Sequence, residues 1–255
     1  MKNVLWSGIL AGVFILAGCN GTTDVVLPPS SNFTLTFKAQ YDGQPLEKYK
    51  SYNYDTYQVQ FSRFNAYFSD ITLLKGSAEY KLSDVEWVDF TPDLAPNNLA
   101  VEVPVTFKNV PDGDYTGIRI GYGVSPTLNA KQPRDFPVGH PLSRESEYWL
   151  GWGSYIFNKV EGKADLDNSN TFGTSLVYHC GSSPVYRTYT FNTPITVQQG
   201  ASATATLDLK KLFTINGAWF DMSVPQNQIT SNDVGNVVVA TILMDNYGNA
   251  TSVQQ

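Results

Sequence analysis

The sequence is poor in charge, in sulfur-containing residues and in histidine. Asp, Glu, Lys and Arg make up 16% of the 255 residues, and the chain contains only 2 Cys, 3 Met and 2 His. So little charge excludes a coiled coil or a helical repeat, since both need many Glu, Lys and Arg residues. Intrinsic disorder is excluded too, because 42% of the residues are hydrophobic and can build a core.

Basic patches and the common enzyme motifs are also missing. The 17 basic residues are outnumbered by 23 acidic ones, for a formal net charge of −6, so the chain lacks the positive surface that nucleic acids require. It has no Gly-x-Ser-x-Gly elbow, no His-Glu-x-x-His motif and no phosphate-binding glycine loop. We therefore expect a protein that neither binds nucleic acid nor acts as an enzyme.

The first residues resemble an export signal. Lys2 precedes an apolar stretch that is too short for a permanent transmembrane helix, and this stretch ends in LAGC at Cys19. That ending resembles the lipobox of bacterial lipoproteins, which implies that residues 1–18 are removed and that Cys19 carries lipid. Because Asn20 rather than Asp follows, the Gram-negative sorting rule favours the outer membrane, at its periplasmic face or at the cell surface. Residues 19–31 would form the lipidated tether that holds the protein on the membrane.

Lipidation of Cys19 leaves Cys180 as the only other cysteine. No intramolecular disulfide can then form in the mature chain. A lone thiol in an oxidising compartment is either buried and inert or kept for a purpose such as metal binding.

Alternation of apolar and polar residues predicts short β-strands along most of the chain. Every second residue is apolar in 33–41, and the pattern recurs in 57–61 and 101–107. It recurs again in 118–124, after the turn sequence Pro111-Asp112-Gly113. We interpret residues 101–124 as a β-hairpin.

This strand pattern predicts a single all-β domain over residues 32–255, a β-sandwich of Ig-like or jelly-roll-like type with about ten short strands. Residues 125–147 lack periodicity and are rich in Pro, Asn, Arg and Ser, which predicts a long functional loop. Residues 237–244 form a continuous apolar run that fits a buried strand or a short helix equally well. We expect a monomer.

Several motifs resemble those of the MbnP-like copper-binding proteins, which are secreted proteins and lipoproteins of Gram-negative bacteria. They follow the family's order: the opening strand 33–37, AYFSDITLLK at 66–75, NVPDGDYTGIRIGYGV at 109–124, WLGWGSYIFNKVEG at 149–162, YHCG at 178–181 and MDNY at 244–247. The resemblance implies an all-β sandwich and copper binding outside the inner membrane. It also implies, for some members, a tryptophan that a partner di-haem peroxidase oxidises to kynurenine.

The resemblance also points to candidate site residues. His179 in YHCG is the first candidate copper ligand, and His140 in the long loop is the second. Trp152 keeps the family's spacing better than Trp149 and is the candidate for the modified tryptophan. Met222 and Cys180 are weaker candidates, as soft sulfur ligands.

Each candidate has a structural interpretation as well. His179 and Cys180 are adjacent, so on a regular strand their side chains point to opposite faces and cannot bind one ion. Cys180 would then be a small buried residue, and Met222 and Trp152 would fill the core. His140 would be a solvated loop histidine.

These features favour the first of three functions and leave two alternatives open. The first is a copper-binding lipoprotein, with a di-haem peroxidase as a possible partner. The second is a metal-free β-sandwich lipoprotein for adhesion, sugar binding or envelope structure, which separated histidines and an exposed Tyr/Trp platform would favour. The third is a secreted hydrolase, which would need carboxylates clustered in a cleft.

Overall fold

The computed structural model describes residues 29–215, 217–230 and 237–255. Its α-helices are α1 (Pro126–Asn129), α2 (Leu209–Leu212) and α3 (Val238–Ala250). The strands are β1 (Ser30–Tyr41), β2 (Gln44–Pro45), β3 (Tyr52–Tyr54), β4 (Tyr57–Lys75), β5 (Ala78–Asp89), β6 (Val103–Pro111), β7 (Gly113–Tyr115), β8 (Gly117–Tyr122), β9 (Tyr148–Trp149), β10 (Ser154–Asp165), β11 (Thr174–Gly181), β12 (Arg187–Phe191), β13 (Ile195–Val197), β14 (Ala201–Asp208), β15 (Thr214–Ile215), β16 (Ala218–Trp219) and β17 (Thr251–Gln254).

The proposed export signal and most of the tether lie outside the described residues. Only the last three tether positions, residues 29–31, are described. Two of these, Ser30 and Ser31, already belong to β1. The folded part of the chain therefore begins two residues before the predicted domain start at residue 32.

The strands form two main sheets. In the smaller sheet, β1 pairs in parallel with β14 and antiparallel with β2 and β6, and β17 continues the sheet beyond β14. The larger sheet has the order β11-β10-β4-β8-β12, with β3 and β5 also paired to β4 and β9 paired to β10. The predicted all-β sandwich is confirmed.

Aromatic side chains fill the space between the two sheets. Phe37 on β1 stacks on Phe68 of β4 with ring centroids 4.4 Å apart, and Tyr41 approaches Phe61 at 5.9 Å. From Phe33 onward every second residue of β1 is buried, because side chains alternate between the two faces of a strand. Each large ring removed from water in this way stabilises the fold by about 1.5–3 kcal/mol.

The hairpin predicted for residues 101–124 is wrong. β6 pairs with β1 in the smaller sheet, whereas β8 pairs with β4 and β12 in the larger sheet. The chain crosses between the sheets near Gly113, whose φ of 138° is unfavourable for other residues. Each strand has one apolar face, and placing the two strands in opposite sheets buries both faces in the same core.

The apolar run over residues 237–244 is part of a helix rather than a strand. The buried residues of α3 follow helical spacing and are Ala240, Leu243, Met244, Tyr247 and Ala250. β17 follows α3 directly and pairs with β14. Among the described residues, no helix has the length and apolar character needed to cross a membrane.

The long loop over residues 125–147 contains α1 and three short 3-10 turns. It covers the outer face of the larger sheet. The hydroxyl of Tyr67 on β4 donates to the Pro141 carbonyl at 3.0 Å, and that of Tyr155 on β10 donates to the Leu142 carbonyl at 2.8 Å. Leu142 of the loop is fully buried, so the loop adds to the apolar interior of the protein.

Candidate functional site

A tight hairpin of β9 and β10 carries both site tryptophans. Trp149 pairs with Ser154 across the hairpin. The rings of Trp149 and Trp152 stack with centroids 5.5 Å apart and 26° between their planes. Trp149 is 36% exposed, so the stack presents an accessible aromatic surface, which we call the tryptophan stack.

The tryptophan stack is anchored on β11, the outermost strand of the larger sheet. The six-membered ring of Trp152 lies over Gly181, where an added Cβ would come within 2.8 Å of the ring. His179 lies two residues earlier on the same strand, and residues i and i+2 of a strand share one face, about 7 Å apart. The fold therefore places Trp152 against the end of β11 that also carries His179, two residues away along the strand.

The imidazole of His179 is paired with a carboxylate. Its Nε2 lies 2.8 Å from Glu161 Oε1, and Arg63 Nη1 lies 3.4 Å from the same oxygen. The hydrogen bond with His179 is the main cause that holds the pKa of Glu161 below its usual value; burial opposes this shift and the charge of Arg63 adds to it. In the tautomer that donates from Nε2, Nδ1 of His179 keeps a lone pair.

Cys180 points into the core, away from the face that carries His179. Its side chain is fully buried, and burial raises the pKa of the thiol. Because metals bind the thiolate rather than the thiol, Cys180 is a poor ligand in this position. The structural interpretation of Cys180 as a small buried residue is confirmed.

His140 lies in the long loop and has a different set of neighbours. Its Nδ1 accepts a hydrogen bond from the Leu142 amide at 3.1 Å, and its ring stacks on Phe136 at 4.5 Å. Burial lowers the pKa of His140, while Asp84 acts in the opposite direction.

The residue that follows His140 is held over β4, which does not adjoin β11. Tyr67 of β4 donates to the carbonyl of Pro141. β4 is separated from β11 by β10, so the two strands lie about 10 Å apart. Among the described residues, His140 contacts Leu142 and Phe136 whereas His179 contacts Glu161, so the two predicted histidine ligands lie in separate places.

Met222 belongs to the apolar core. Its side chain is fully buried, and its backbone N–H donates to the Tyr57 hydroxyl at 2.9 Å. The core-filling interpretation accounts for Met222, and within the part of the chain that the structure describes no hydrogen bond or ion pair joins it to His179.

The predicted ligands do not form one copper centre. Across the described ranges, no group of three or more His, Cys, Asp or Glu side chains is arranged to hold a metal ion. His179 and Glu161 supply one nitrogen and one oxygen donor, whereas protein copper sites are built from several imidazole or sulfur donors. The donor set of the described residues therefore does not fit copper.

Sequence reasoning missed Glu161, Arg63 and a buried ion pair beside them. Glu161 is the glutamate of the segment WLGWGSYIFNKVEG, and its place there was the available signal. Arg63 had no such signal, because only the β4–β10 register places it opposite Glu161.

The buried ion pair joins Lys159 and Glu147. Lys159 Nζ lies 2.9 Å from Glu147 Oε2, and the two side chains are only 8% and 7% exposed. Lys159 also donates to the Ser146 carbonyl at 2.8 Å. Glu147 Oε2 accepts no well-aligned hydrogen bond, so the contact is a charge pair rather than a directed bond. Lys159 pairs with His179 across the β10–β11 ladder, and the ion pair is therefore continuous with the site.

Two facing sheets with an aromatic hairpin packed on an outer strand define a β-sandwich protein with a candidate binding site at one edge. The model of the MbnP family matches residues 30–236. The chain therefore belongs to the MbnP family, which is linked with copper-related function. No curated protein matches the chain significantly, and no solved structure does.

Proposed function

We propose that the protein is a lipid-anchored binding protein of the bacterial envelope that works without copper. Its binding site is the hairpin that carries the tryptophan stack. One observation carries this proposal: the stack is accessible, while His140 and His179 lie in separate places. A metal-free binding protein needs an accessible surface like the tryptophan stack. A copper site built on both histidines would instead require His140 and His179 to lie close together.

The chemistry of the single donors supports the same proposal. Cys180 is held as a buried thiol, and Met222 lies in the core. His179 is paired with Glu161 through Nε2, so this histidine has at most one nitrogen, Nδ1, left as a donor. The membrane anchor rests on the lipobox-like segment that ends at Cys19.

Copper titration of the purified mature protein tests the proposal. We expect no stoichiometric uptake of Cu(I) under reducing conditions or of Cu(II) in air. His179→Ala should lower the melting temperature, since it removes the partner of Glu161. His140→Ala is the matched control, because it removes an imidazole that has no contact with that pair. Stoichiometric copper that is lost in the His179→Ala protein would contradict the metal-free function.

A second function is favoured by one specific observation. Trp152 lies over Gly181, two residues along β11 from His179, and the family resemblance places a modified tryptophan near a histidine ligand. Copper handling would then depend on modification of Trp152 by a di-haem peroxidase. Intact mass of protein from its native envelope distinguishes the two functions, because oxidation of a tryptophan changes the mass of the polypeptide and the metal-free function predicts no change.

A further inference from the structure

The long loop and the tip of the tryptophan hairpin enclose a groove that is separate from the tryptophan stack. It has a volume of about 370 Å³ and is lined by Gln132, Pro133, Arg134, Glu145, Tyr148 and Leu150. Pockets for small ligands in proteins start at about 300 Å³. Tyr148 and Trp149 are neighbours on β9, so their side chains point to opposite faces, and the groove lies on the Tyr148 side.

The groove is lined by both apolar and charged side chains. Tyr148 and Leu150 provide apolar surface, and Leu150 is 82% exposed. Arg134 and Glu145 also line the groove and are exposed. In the described part of the chain, neither side chain takes part in an ion pair or a hydrogen bond, so both keep their full capacity to bind a ligand.

The walls of the groove are held in place by the rest of the loop. The ring of Tyr148 meets that of Tyr155 edge-on with centroids 5.0 Å apart, and Tyr155 is itself fixed by its bond to the Leu142 carbonyl. On the other wall, the backbone N–H of Gln132 donates a hydrogen bond to Asp135 Oδ2 at 2.8 Å. Tyr148 and the Gln132 backbone are therefore already ordered when a ligand binds, which lowers the entropic cost of binding, whereas the Arg134 and Glu145 side chains become ordered by the ligand.

A pyranose ring matches this combination of surfaces. One face of the sugar presents C–H groups that pack on an aromatic ring or a leucine. Its equatorial hydroxyls lie in the plane of the ring, where charged side chains at the edge of the sugar can bind them. A guanidinium donates several hydrogen bonds and a carboxylate accepts several, so Arg134 and Glu145 can bind neighbouring hydroxyls together. A purely apolar occupant such as a lipid tail would instead remove both charges from water without compensation.

We propose that this groove binds a neutral oligosaccharide of pyranose units, with Tyr148 and Leu150 under one sugar ring and Arg134 and Glu145 on its hydroxyls. The inference rests on the proposed metal-free binding function and adds a second binding surface to it, separate from the tryptophan stack. It concerns the Tyr148 side of the hairpin, so it does not require the tryptophan stack or His179 to contact the ligand.

Binding is tested on the mature chain with two defined probes, the tetrasaccharide of β-1,4-linked glucose and that of β-1,4-linked N-acetylglucosamine. We expect at least one probe to bind, as followed by calorimetry and by ligand-observed NMR. Arg134→Ala and Glu145→Gln should each weaken binding about tenfold, as expected for a central polar contact. Lys131→Ala and Glu102→Gln are the matched controls, because they remove exposed charges that do not line the groove, and their affinity should equal that of the unaltered chain.

Three results would overturn the proposal. The first is no binding of either probe at about 10 mM, well above the millimolar range of weak complexes. The second is binding that Arg134→Ala and Glu145→Gln leave unchanged while their melting temperatures match the unaltered chain. The third is that the lipid-free chain binds phosphatidylethanolamine vesicles through Leu150, which Leu150→Ala would abolish. None of these results affects the copper titration, so a failure here is separate from a failure of the metal-free function.

Discussion

Gly181 is the residue on which the geometry of the site depends most directly. An added Cβ there would lie 2.8 Å from the ring of Trp152 and 2.8 Å from the Tyr155 carbonyl oxygen. The first neighbour is a side chain that can move, but the second is backbone of the adjacent strand. Any side chain at position 181 must therefore displace both the tryptophan and the β10–β11 ladder.

We expect Gly181→Ala to destabilise the protein by about 1–3 kcal/mol, the usual cost of overpacking a well-packed site. It should also shift the tryptophan fluorescence, because Trp152 must leave its position. Gly173→Ala is the matched control: no atom lies within 4 Å of its added Cβ, so both measurements should stay near those of the unaltered chain. Equal melting temperatures and spectra for the two variants would mean that Trp152 does not pack on Gly181.

Glu161 makes the stability of the protein depend on pH. Its pKa is depressed in the folded state, chiefly by the hydrogen bond with His179. A carboxylate of this kind stabilises the folded state at every pH above its unfolded pKa, which is about 4.3. That contribution is lost as the pH falls below this value and through the lower pKa of the folded state.

Urea unfolding between pH 7 and pH 3 checks this expectation. The unaltered chain should lose more of its unfolding free energy between about pH 5 and pH 3 than the Glu161→Gln variant, because glutamine cannot be protonated there. Glu102→Gln, which removes an exposed carboxylate just before β6, should keep the acid sensitivity of the unaltered chain. Parallel pH profiles for the unaltered chain and Glu161→Gln would show that Glu161 has the same pKa in the folded and unfolded states.

At the scale of secondary-structure elements, the buried ion pair between Lys159 and Glu147 holds the long loop against the larger sheet. Both side chains are almost fully buried, so removing one partner leaves the other charge in a site with little water. A buried charge without its partner costs about 3–5 kcal/mol. Replacing both partners with apolar residues of similar size removes the penalty instead.

We expect Glu147→Leu to lower the unfolding free energy by about 3–5 kcal/mol and the double variant Glu147→Leu/Lys159→Met to recover most of that loss. A double-mutant cycle in urea provides the measurement, with Lys159→Met as the fourth corner. If the two single effects simply add in the double variant, the ion pair does not couple the loop to the sheet.

A second feature of the secondary-structure elements is the crossing of the chain between the two sheets near Gly113. β6 and β8 have the same alternating pattern in the sequence, and a turn signal stands between them. Neither the pattern nor the turn distinguishes a hairpin within one sheet from an arch between two sheets. The choice depends on where β1 and β4 already stand, because β6 pairs with the first and β8 with the second.

At the scale of the whole molecule, the proposed membrane anchor depends on a single residue. The chain enters the folded domain at Ser30, and the segment from residue 19 to residue 29 could reach about 36 Å if fully extended. We expect Cys19→Ser to release the protein from the membrane fraction, since two acyl chains on that residue are what stable anchoring needs. Fractionation of cells that express each form is the measurement, and a Cys180→Ser variant is the control that keeps its membrane attachment. Membrane-bound Cys19→Ser protein would refute the lipoprotein assignment.

The sequence by itself determined the sandwich class and the long loop, because these follow from local alternation and composition. For Cys180 it left open a buried residue or a weak metal ligand, and the tertiary structure decided for burial. The sequence also contained the motif glutamate at position 161, but its spacing did not identify His179 or Arg63 as partners of that glutamate. Only the tertiary structure decided that Trp152 packs on the strand that carries His179 and that His140 does not, since strand order and register set the distance between residues far apart in the chain. The same holds for Arg63 and for the Lys159–Glu147 pair, whose members meet only because the sheet and the loop pack together. The local sequence determines the secondary structure that each segment can form, and long-range packing determines which side chains share a site.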